Sequence, residues 1–282
     1  MGVIYKIELL VAQAQVQQVG DALDEIADAI AAFEVTPGGK WRIEAYCTEP
    51  PPPEMVAAAL PGLAHSITLL PTSGWLERNR RDFPAIRVAR FYVYGSHLPR
   101  PPADGRIALQ VEAATAFGSG EHATTRGCLS LIASAIARRK PRNALDVGCG
   151  SGILAMAIAR LAQIPVTAVD IDEEAVRVTR ENTRINGVRR QVRVARSDGF
   201  HSDVIAKSEK YDLIVANILA GPLCKMAPDF RRRLAAGGRL ILSGLLNDQE
   251  TRVIAACRMQ RLALRRRWRS DGWSALEFSY AD

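Results

Sequence analysis

The sequence has few of the features that mark secreted, membrane-bound or metal-binding proteins. Its 282 residues include five cysteines, which lie far apart, form no Cys-x-x-Cys pair and have no histidine at zinc-ligand spacing. This pattern indicates neither a disulfide framework nor a metal site. No apolar run approaches the ~20 residues that a helix needs to span a bilayer, and the strand-like start of the chain contains Lys6 and Glu8, unlike a signal peptide. We therefore expect a cytoplasmic protein with buried free thiols, no metal and no membrane contact.

Apolar residues and positive charge are what the sequence does have. With 282 residues, 48% of them apolar, the chain has room for about two domains with packed cores. The net charge of +7 comes mostly from arginine. Such a charge suits an acidic partner such as a ribonucleoprotein, although an arginine-rich surface is often simply solvated. The composition predicts a soluble globular protein and leaves room for contact with ribosomal RNA.

Residues 1–72 predict a small α+β domain. Their apolar periodicity gives strands at 5–11, 33–36, 41–48 and 65–71, and helices at 16–32 and 53–60. The order βαββαβ is that of a ferredoxin-like domain, in which two crossover helices cover one face of a four-stranded antiparallel sheet. The other face of the sheet is then free to meet a partner.

The rest of the chain predicts an α/β domain. Residues 73–105 are charged and proline-rich and are interpreted as a linker that leads into the second domain. Strands and helices then alternate over residues 106–282, which is typical of a mostly parallel sheet with helices on both faces. The last two strands follow each other without a helix, so one of them is expected to be antiparallel.

Three glycines interrupt the segment "LDVGCGSGILAMAIARL" at residues 148, 150 and 152. Gly148, Gly150 and Gly152 would form the turn between a buried strand and a helix, at the sheet edge where open α/β sheets bind ligands. Glycine lets a backbone approach a ligand and adopt positive φ. The G-x-G-x-G spacing is tighter than the dinucleotide fingerprint, which favours a ligand without a phosphate. A purely structural turn is the alternative.

Four aspartates near this edge sharpen the choice of ligand. Asp170 ends the next strand, about 20 residues after the glycines, where a carboxylate accepts hydrogen bonds from ribose hydroxyls. Asp146 would lie near any cation held above the first strand. Both suit adenosine with a positively charged tail. Asp198, after the third strand, is a candidate for the adenine amino group or for a cap or surface role, and Asp172 is interpreted as a helix N-cap.

The segments "LDVGCGSGILAMAIARL", "AVDID" and "YDLIVANI" resemble class I S-adenosylmethionine-dependent methyltransferases. A finer resemblance, to ribosomal protein methyltransferases of the PrmA type, is carried by "AFGSGEHATTRGCL" (116–129), "VANILAGPL" (215–223) and "GRLILSGLLNDQ" (238–249). That family's "FGTGTHPTT" stands here as "FGSGEHATT". The resemblance implies a ferredoxin-like domain that grips the substrate, a linker, and a Rossmann-like domain with a mostly parallel seven-stranded sheet.

The resemblance also implies site residues. It places S-adenosylmethionine against Thr125, Gly148, Asp170 and Asn217, and it makes a flap over the methyl donor from Phe117, Gly118, Gly120 and Thr124. For Gly148 and Asp170 this agrees with the reasoning from the residues themselves, which adds Gly150. An ordinary surface loop, with Thr124 or Thr125 as the helix N-cap, is the alternative for the flap.

Asn217 bears on the substrate. The sequence "NILA" lacks the two prolines and the aromatic residue of methyltransferases that clamp flat groups, and an aliphatic surround suits a lysine stem. The backbone carbonyls of residues 217 and 218 and the Asn217 amide would hold the amine, which makes Asn217 the candidate catalytic residue. A merely buried asparagine is the alternative. The resemblance implies a protein N-methyltransferase, expected to be monomeric, acting on lysine and N-terminal amines of the large-subunit stalk-base ribosomal protein.

Three other functions compete with this one. A nicotinamide dehydrogenase would share the sheet but conflicts with the glycine spacing. A methyltransferase of the same fold could act on the lysines of another protein, on a small molecule or on ribosomal RNA. A non-enzymatic ribonucleoprotein-binding module would use "RMQRLALRRRWRS" (258–270), although that tract also fits a strand with an arginine-rich outer edge.

Overall fold

The computed structural model describes residues 3–27, 29–35, 39–71, 85–99, 101, 104–111, 123–205 and 210–280. The chain divides into two compact units, Met1–Arg78 and Asn79–Asp282. The elements of the first unit are β1 (Val3–Ala12), α1 (Val16–Leu23), β2 (Ala29–Glu34), β3 (Lys40–Cys47), α2 (Pro53–Ala59) and β4 (His65–Pro71).

The first unit has the expected ferredoxin-like arrangement. Its sheet has the order β2-β3-β1-β4, and all three strand pairs are antiparallel. Every second side chain along the central strands is apolar and faces the core, as in a strand that is buried on one side. The apolar side of the amphipathic helix α1 packs against the same core. Buried members of this core are Ile7, Leu9, Val11, Val16, Val19, Leu23, Trp41 and Ile43.

The first helix is shorter than its sequence pattern predicts. It ends at Leu23 instead of residue 32, and residues 29–34 form β2 instead. Strand β2 pairs with β3 along its whole length, with Ile30 opposite Ala45. The alanine-rich segment fits the periodicity of a helix and also that of a strand. It forms a strand because its backbone can then hydrogen-bond to the edge of β3.

The second unit begins with a three-stranded sheet and continues into the alternating domain. The three strands are β5 (Ile86–Val88), β6 (Phe91–Tyr94) and β7 (Ile107–Gln110). The remaining elements are α3 (Ala123–Arg138), β8 (Ala144–Val147), α4 (Ile153–Ala162), β9 (Val166–Asp170), α5 (Glu173–Ile185), β10 (Val192–Arg196), β11 (Tyr211–Asn217), α6 (Ala220–Lys225), α7 (Ala227–Arg233), β12 (Leu234–Leu246), α8 (Glu250–Met259), β13 (Leu262–Ser270) and β14 (Trp273–Tyr280).

The large sheet has seven strands in the order β10-β9-β8-β11-β12-β14-β13. Strands β8 to β12 are parallel to one another, whereas β14 is antiparallel to both of its neighbours, β12 and β13. The prediction of a mostly parallel sheet with one antiparallel strand near the end is therefore confirmed. The chain order reverses between β8 and β11, and a crevice at such a reversal is where open α/β sheets bind ligands.

Apolar clusters cover both faces of this sheet. On one face, α3, α4 and the three-stranded sheet contribute buried side chains such as Leu129, Met156 and Phe91. On the other, α6 and α7 contribute Leu223 and Phe230. Parallel sheets need this cover because their strands are apolar on both sides.

Helix α3 packs unusually close to the antiparallel end of the sheet. A β-carbon at Gly127 would lie 2.5 Å from the Trp268 ring and 2.9 Å from the β-carbon of Ala275. Only a glycine fits between the helix and these two strands. The helix axis is therefore fixed against β13 and β14.

The cysteines behave largely as expected. All five are free, and four are buried, with Cys224 half-buried. Among the residues that the structure describes, no group of three or more His, Cys, Asp or Glu side chains could hold a metal ion. In the same part of the chain, no helix combines the length and apolarity needed to cross a membrane.

Candidate active site

The turn after β8 depends on glycine at each of the three predicted positions. Gly148, Gly150 and Gly152 have φ of 71°, 54° and 78°, a region that other residues rarely adopt. Two of the three also lack space for a side chain. A β-carbon at Gly148 would lie 2.4 Å from Cγ2 of Ile218, and one at Gly152 would lie 2.7 Å from Cγ2 of Thr179.

Two buried polar side chains of α5 hold this turn from below. Thr179 Oγ1 donates a hydrogen bond of 2.8 Å to the Gly150 carbonyl, and Asn182 Nδ2 donates one of 2.9 Å to the Ser151 carbonyl. The sequence reasoning missed both residues. One signal was available. Thr179 and Asn182 lie three residues apart on the inward face of an amphipathic helix, where a polar group is costly unless it forms a hydrogen bond, so a hydrogen bond from each to a neighbouring segment could have been predicted.

Asp170 joins the first turn to the next one. Its Oδ2 accepts a hydrogen bond of 2.8 Å from the Gly150 amide, and its Oδ1 accepts one of 3.1 Å from the Asp172 amide. Burial raises the pKa of Asp170, while these two amides act to lower it. Each carboxylate oxygen has a second lone pair, so the group can still accept hydrogen bonds from a ligand.

Asp146 lies beneath the same turn and is fully buried. Its Oδ2 accepts a hydrogen bond of 2.9 Å from the Ala155 amide in the first turn of α4. Its Oδ1 has no hydrogen-bond partner within the described part of the chain. Burial, and secondarily the charge of Asp170, raise the pKa of Asp146 to about 7.

Asn217 lies at the carboxyl end of β11 and contacts the first turn of α3. Its Nδ2 is 3.4 Å from the hydroxyl oxygens of both Thr124 and Thr125, and it donates to them. The Asn217 Oδ1 is buried and has no partner among the described residues. Both threonines follow Ala123 inside the helix, so the alternative in which one of them is the N-cap is wrong.

A bulge in β12 supports the residue after Asn217. Gly244 has φ of 85° at a register shift between β12 and β14. A β-carbon there would lie 2.3 Å from the Ile218 carbonyl oxygen, while the Ile218 amide donates to the Ser243 carbonyl at 3.1 Å. The sequence reasoning missed Gly244, although a glycine inside a strand is a known signal for a bulge or a close backbone approach.

The other predicted residues are placed less centrally or lie outside the described part. Asp172 is the N-cap of α5, as expected, and accepts a hydrogen bond of 2.9 Å from the Glu174 amide. Asp198 is exposed and follows β10 at the same sheet edge. Phe117, Gly118 and Gly120 lie outside the described residues.

The structure thus brings two groups of predicted residues to one edge of the sheet. Asp146, Gly148, Gly150 and Asp170 surround the turn after β8, while Asn217, Thr124 and Thr125 lie at the end of β11. The close approach of Ile218 to Gly148 joins the two groups.

Comparison with known proteins shows what this arrangement belongs to. The family model "Ribosomal protein L11 methyltransferase (PrmA)" matches residues 40–280. The chain belongs to the PrmA family. A relative from Agrobacterium fabrum, named ribosomal protein L11 methyltransferase, is 43% identical over 223 residues, covering 79% of this chain and 76% of the relative. One of the same name from a Chelativorans species is 50% identical, covering 66% of this chain and 64% of the relative.

A solved structure supports the same membership. The ribosomal protein L11 methylase of Lactobacillus delbrueckii subsp. bulgaricus superimposes with a TM-score of 0.61 and 28% identity, covering 70% of this chain and 99% of that one. The present chain is therefore a class I S-adenosylmethionine-dependent methyltransferase. The prediction of fold, family and cofactor is confirmed.

The residues of this PrmA-family site fit S-adenosylmethionine. The turn at Gly148 and Gly150 exposes backbone next to the Asp170 carboxylate, which suits a ribose. Asp146 and Asn217 each have a buried oxygen without a hydrogen-bond partner in the described structure. Buried acceptors of this kind are costly when left alone, and a positively charged ligand beside them would offset that cost.

Proposed function

We propose that this enzyme methylates amino groups of ribosomal protein L11, the stalk-base protein of the large subunit, on lysine side chains and at the N-terminus. The single observation that carries the choice of an amine is the buried Oδ1 of Asn217, which has no hydrogen-bond partner among the described residues. Asn217 is followed along the chain by the aliphatic Ile218 and Leu219. An amine N–H can satisfy that oxygen, and the aliphatic side chains can cover the methylenes of a lysine. The choice of L11 is supported by the names of the relatives.

Asn217 is the proposed catalytic residue, with Thr124 and Thr125 fixing its amide. Because the Nδ2 group donates to the two threonine hydroxyls, the Oδ1 atom is directed to the opposite side, where it can accept from the amine. The Ile218 carbonyl, held in place against Gly244, is a second acceptor. Two acceptors on one amine direct its lone pair towards a single position, which is the geometric requirement of in-line transfer.

The amine must lose its proton before it can react. A free lysine has a pKa of ~10.4, so neutralising it at pH 7 costs about 4 kcal/mol. Burial of the amine among Ile218 and Leu219 lowers its pKa, and so does a neighbouring positive charge. When bound, S-adenosylmethionine supplies both that charge and an activated methyl group. We propose that water takes the proton and that no residue of the chain is an essential general base.

The remaining site and partner assignments complete the proposal. Gly148, Gly150, Asp170 and Asp146 hold the cofactor, with Asp198 at the adenine end. Phe117, Gly118 and Gly120 form a flap. Residues 1–72 recognise the substrate, residues 73–105 contain the linker and the entry to the second domain, and residues 106–282 catalyse. The enzyme acts as a monomer in the cytoplasm on free or ribosome-bound L11.

Intact-mass spectrometry of L11 after incubation with enzyme and S-adenosylmethionine tests this proposal. We expect mass increments of one methyl group each, which peptide mapping assigns to lysine and N-terminal amines. The increments should be lost with Asp170→Ala and kept with Asp172→Ala. Unmodified L11 alongside cofactor binding by calorimetry would overturn the choice of substrate and favour the lysines of another protein. Loss of all activity in a single His or Glu variant that still binds cofactor would overturn the absence of a general base.

A further inference from the structure

A second feature of the methyltransferase domain lies away from the active site. A cleft of about 500 Å³ is lined by Arg138 at the end of α3, by Arg239 on β12, and by Arg265 and Arg266 on the edge strand β13, with Glu277 at its base. This arginine cleft collects four guanidinium groups from three elements that are distant in sequence. The described lining residues include one acidic side chain, Glu277.

The charges in the arginine cleft do not balance. Arg138 donates a hydrogen bond to Glu277 Oε1, while Arg239 and Arg266 approach the same carboxylate with Nε atoms at 3.7 and 3.9 Å. Arg138, Arg239 and Arg266 share the single carboxylate of Glu277, so these four side chains together carry a net charge of +2. Like charges this close repel each other. An anion bound between the arginines would offset this repulsion and stabilise the arrangement.

Three of the four guanidinium groups are already held in position by hydrogen bonds. Arg138 and Arg266 both donate to Ser134 Oγ, at 2.8 and 2.9 Å, and Arg265 donates to Ser279 Oγ at 2.7 Å. The Glu277 side chain, which arginines of α3, β12 and β13 approach, is 1% exposed. Side chains fixed in this way lose little further entropy when they bind a ligand, which distinguishes the cleft from a solvated row of surface arginines.

The arginine cleft and the active site lie at opposite ends of the same helix. Thr125 is in the first turn of α3 and Arg138 is its last residue. At a rise of 1.5 Å per residue, the two positions are ~20 Å apart. The cleft therefore serves a different ligand group from the methyl donor and the amine.

We propose that the arginine cleft binds phosphate groups of an RNA backbone. Guanidinium forks match the geometry of phosphate oxygens and bind them through paired hydrogen bonds. Phosphate as the chemical group is argued from the cleft alone, whereas RNA as its source rests on the proposed ribosomal substrate. Contacts to backbone phosphates position a protein without reading sequence, so the cleft would hold the enzyme on ribonucleoprotein while the active site reaches the amine.

Fluorescence anisotropy with a labelled single-stranded oligouridine tests the proposal. The test protein is the Arg239→Gln, Arg265→Gln double variant of the full chain. The matched control is the Arg190→Gln, Arg193→Gln double variant, which removes the same charge from exposed positions outside the cleft. We expect the cleft variant to bind at least about tenfold more weakly than wild type, because it loses two charged hydrogen-bonding groups. Its plot of log affinity against log salt should flatten by about 1.4, at ~0.7 for each lost phosphate contact.

Three results would overturn the proposal. They are equal loss of affinity in both double variants, absence of oligouridine binding by the wild type at low salt, and equal competition by polyglutamate, which would indicate an acidic protein instead. A fourth such result is full competition by inorganic phosphate at millimolar levels, which would assign the cleft to free phosphate; we expect it to compete only weakly.

Two further measurements separate this proposal from folding defects and from the proposed function. Arg239→Lys, Arg265→Lys keeps the charge but loses the paired hydrogen bonds, so it should bind oligouridine more weakly than wild type even if the glutamine variant is unstable. Methylation of isolated L11 should have the same kcat in the cleft variant as in wild type. A failed methylation assay would leave the oligouridine result intact, so the two proposals fail independently.

Discussion

Gly244 lies against the peptide of Ile218 so closely that a β-carbon at position 244 would be 2.3 Å from the Ile218 carbonyl oxygen. A carbon and an oxygen that are not bonded to each other do not approach to that distance. The bulge in β12 therefore sets the position of the backbone that follows Asn217, and through it one of the two proposed acceptors for the amine.

Gly244→Ala should displace that carbonyl. We expect kcat to fall about 100-fold, since a shift of ~1 Å near the reacting atoms costs that much, while S-adenosylmethionine binding measured by calorimetry is largely retained. Gly20→Ala is the matched control, because it lies inside α1 with nothing within 4 Å of the added carbon. That variant should gain roughly 0.5 to 1 kcal/mol of stability. An unchanged kcat in Gly244→Ala would show that the Ile218 carbonyl takes no part.

Asp170 and Asp172 offer a paired test of the cofactor site. Asp170→Asn removes the negative charge of the side chain that accepts hydrogen bonds from both turns and, in the proposal, from the ribose. We expect the Kd for S-adenosylmethionine to rise about 10- to 100-fold, which is the usual effect of losing a hydrogen bond to a charged group. Asp172→Ala removes a helix cap and should cost about 1 kcal/mol of stability with an unchanged Kd. Calorimetry and thermal melting separate the two effects. Equal Kd changes in both variants would contradict the assignment.

Asp146 gives the enzyme a specific dependence of stability on pH. Burial raises its pKa from the ordinary 3.8 to about 7, so between these values the folded protein holds a proton that the unfolded chain has released. Its contribution to stability must therefore fall as the pH rises through this window and level off above about 7. The check is denaturant unfolding of wild type and Asp146→Asn from pH 4 to 8, in which contributions from other groups cancel. A difference that grows in favour of wild type with pH would contradict the prediction.

The thiols should react unequally. Burial raises the pKa of Cys128 and of Cys257 to about 12 and that of Cys149 well above its usual range, and thiols react as thiolates. Titration of the native enzyme with a chromogenic disulfide reagent should modify no more than one thiol quickly, Cys224, and all five after unfolding in denaturant. If two or more thiols of the native enzyme react rapidly, the hydrophobic core around at least one buried cysteine must open on the time scale of the assay.

Local sequence signals predicted the parts of the site that one strand and one helix build together. The turn at Gly148 and the carboxylate at Asp170 follow from glycine spacing and from the distance to the next strand end. The support that Gly244 gives to Ile218 depends on the pairing of β11 with β12, and no local pattern encodes that contact. Segment 24–32 fits a helix by periodicity and becomes partly a strand because the edge of β3 is available.

The closeness of Gly127 to Trp268 and Ala275 makes α3 a rigid spacer between the active site and the arginine cleft. A helix held against the sheet near its first turns cannot slide along it. The threonines at one end and Arg138 at the other therefore stay a constant distance apart. If a partner binds at the arginine cleft, only those of its amines that lie ~20 Å from the bound group, the length of α3, can reach the active site. Selectivity among many exposed lysines would follow from distance alone, with no need for the enzyme to recognise the residues around each one.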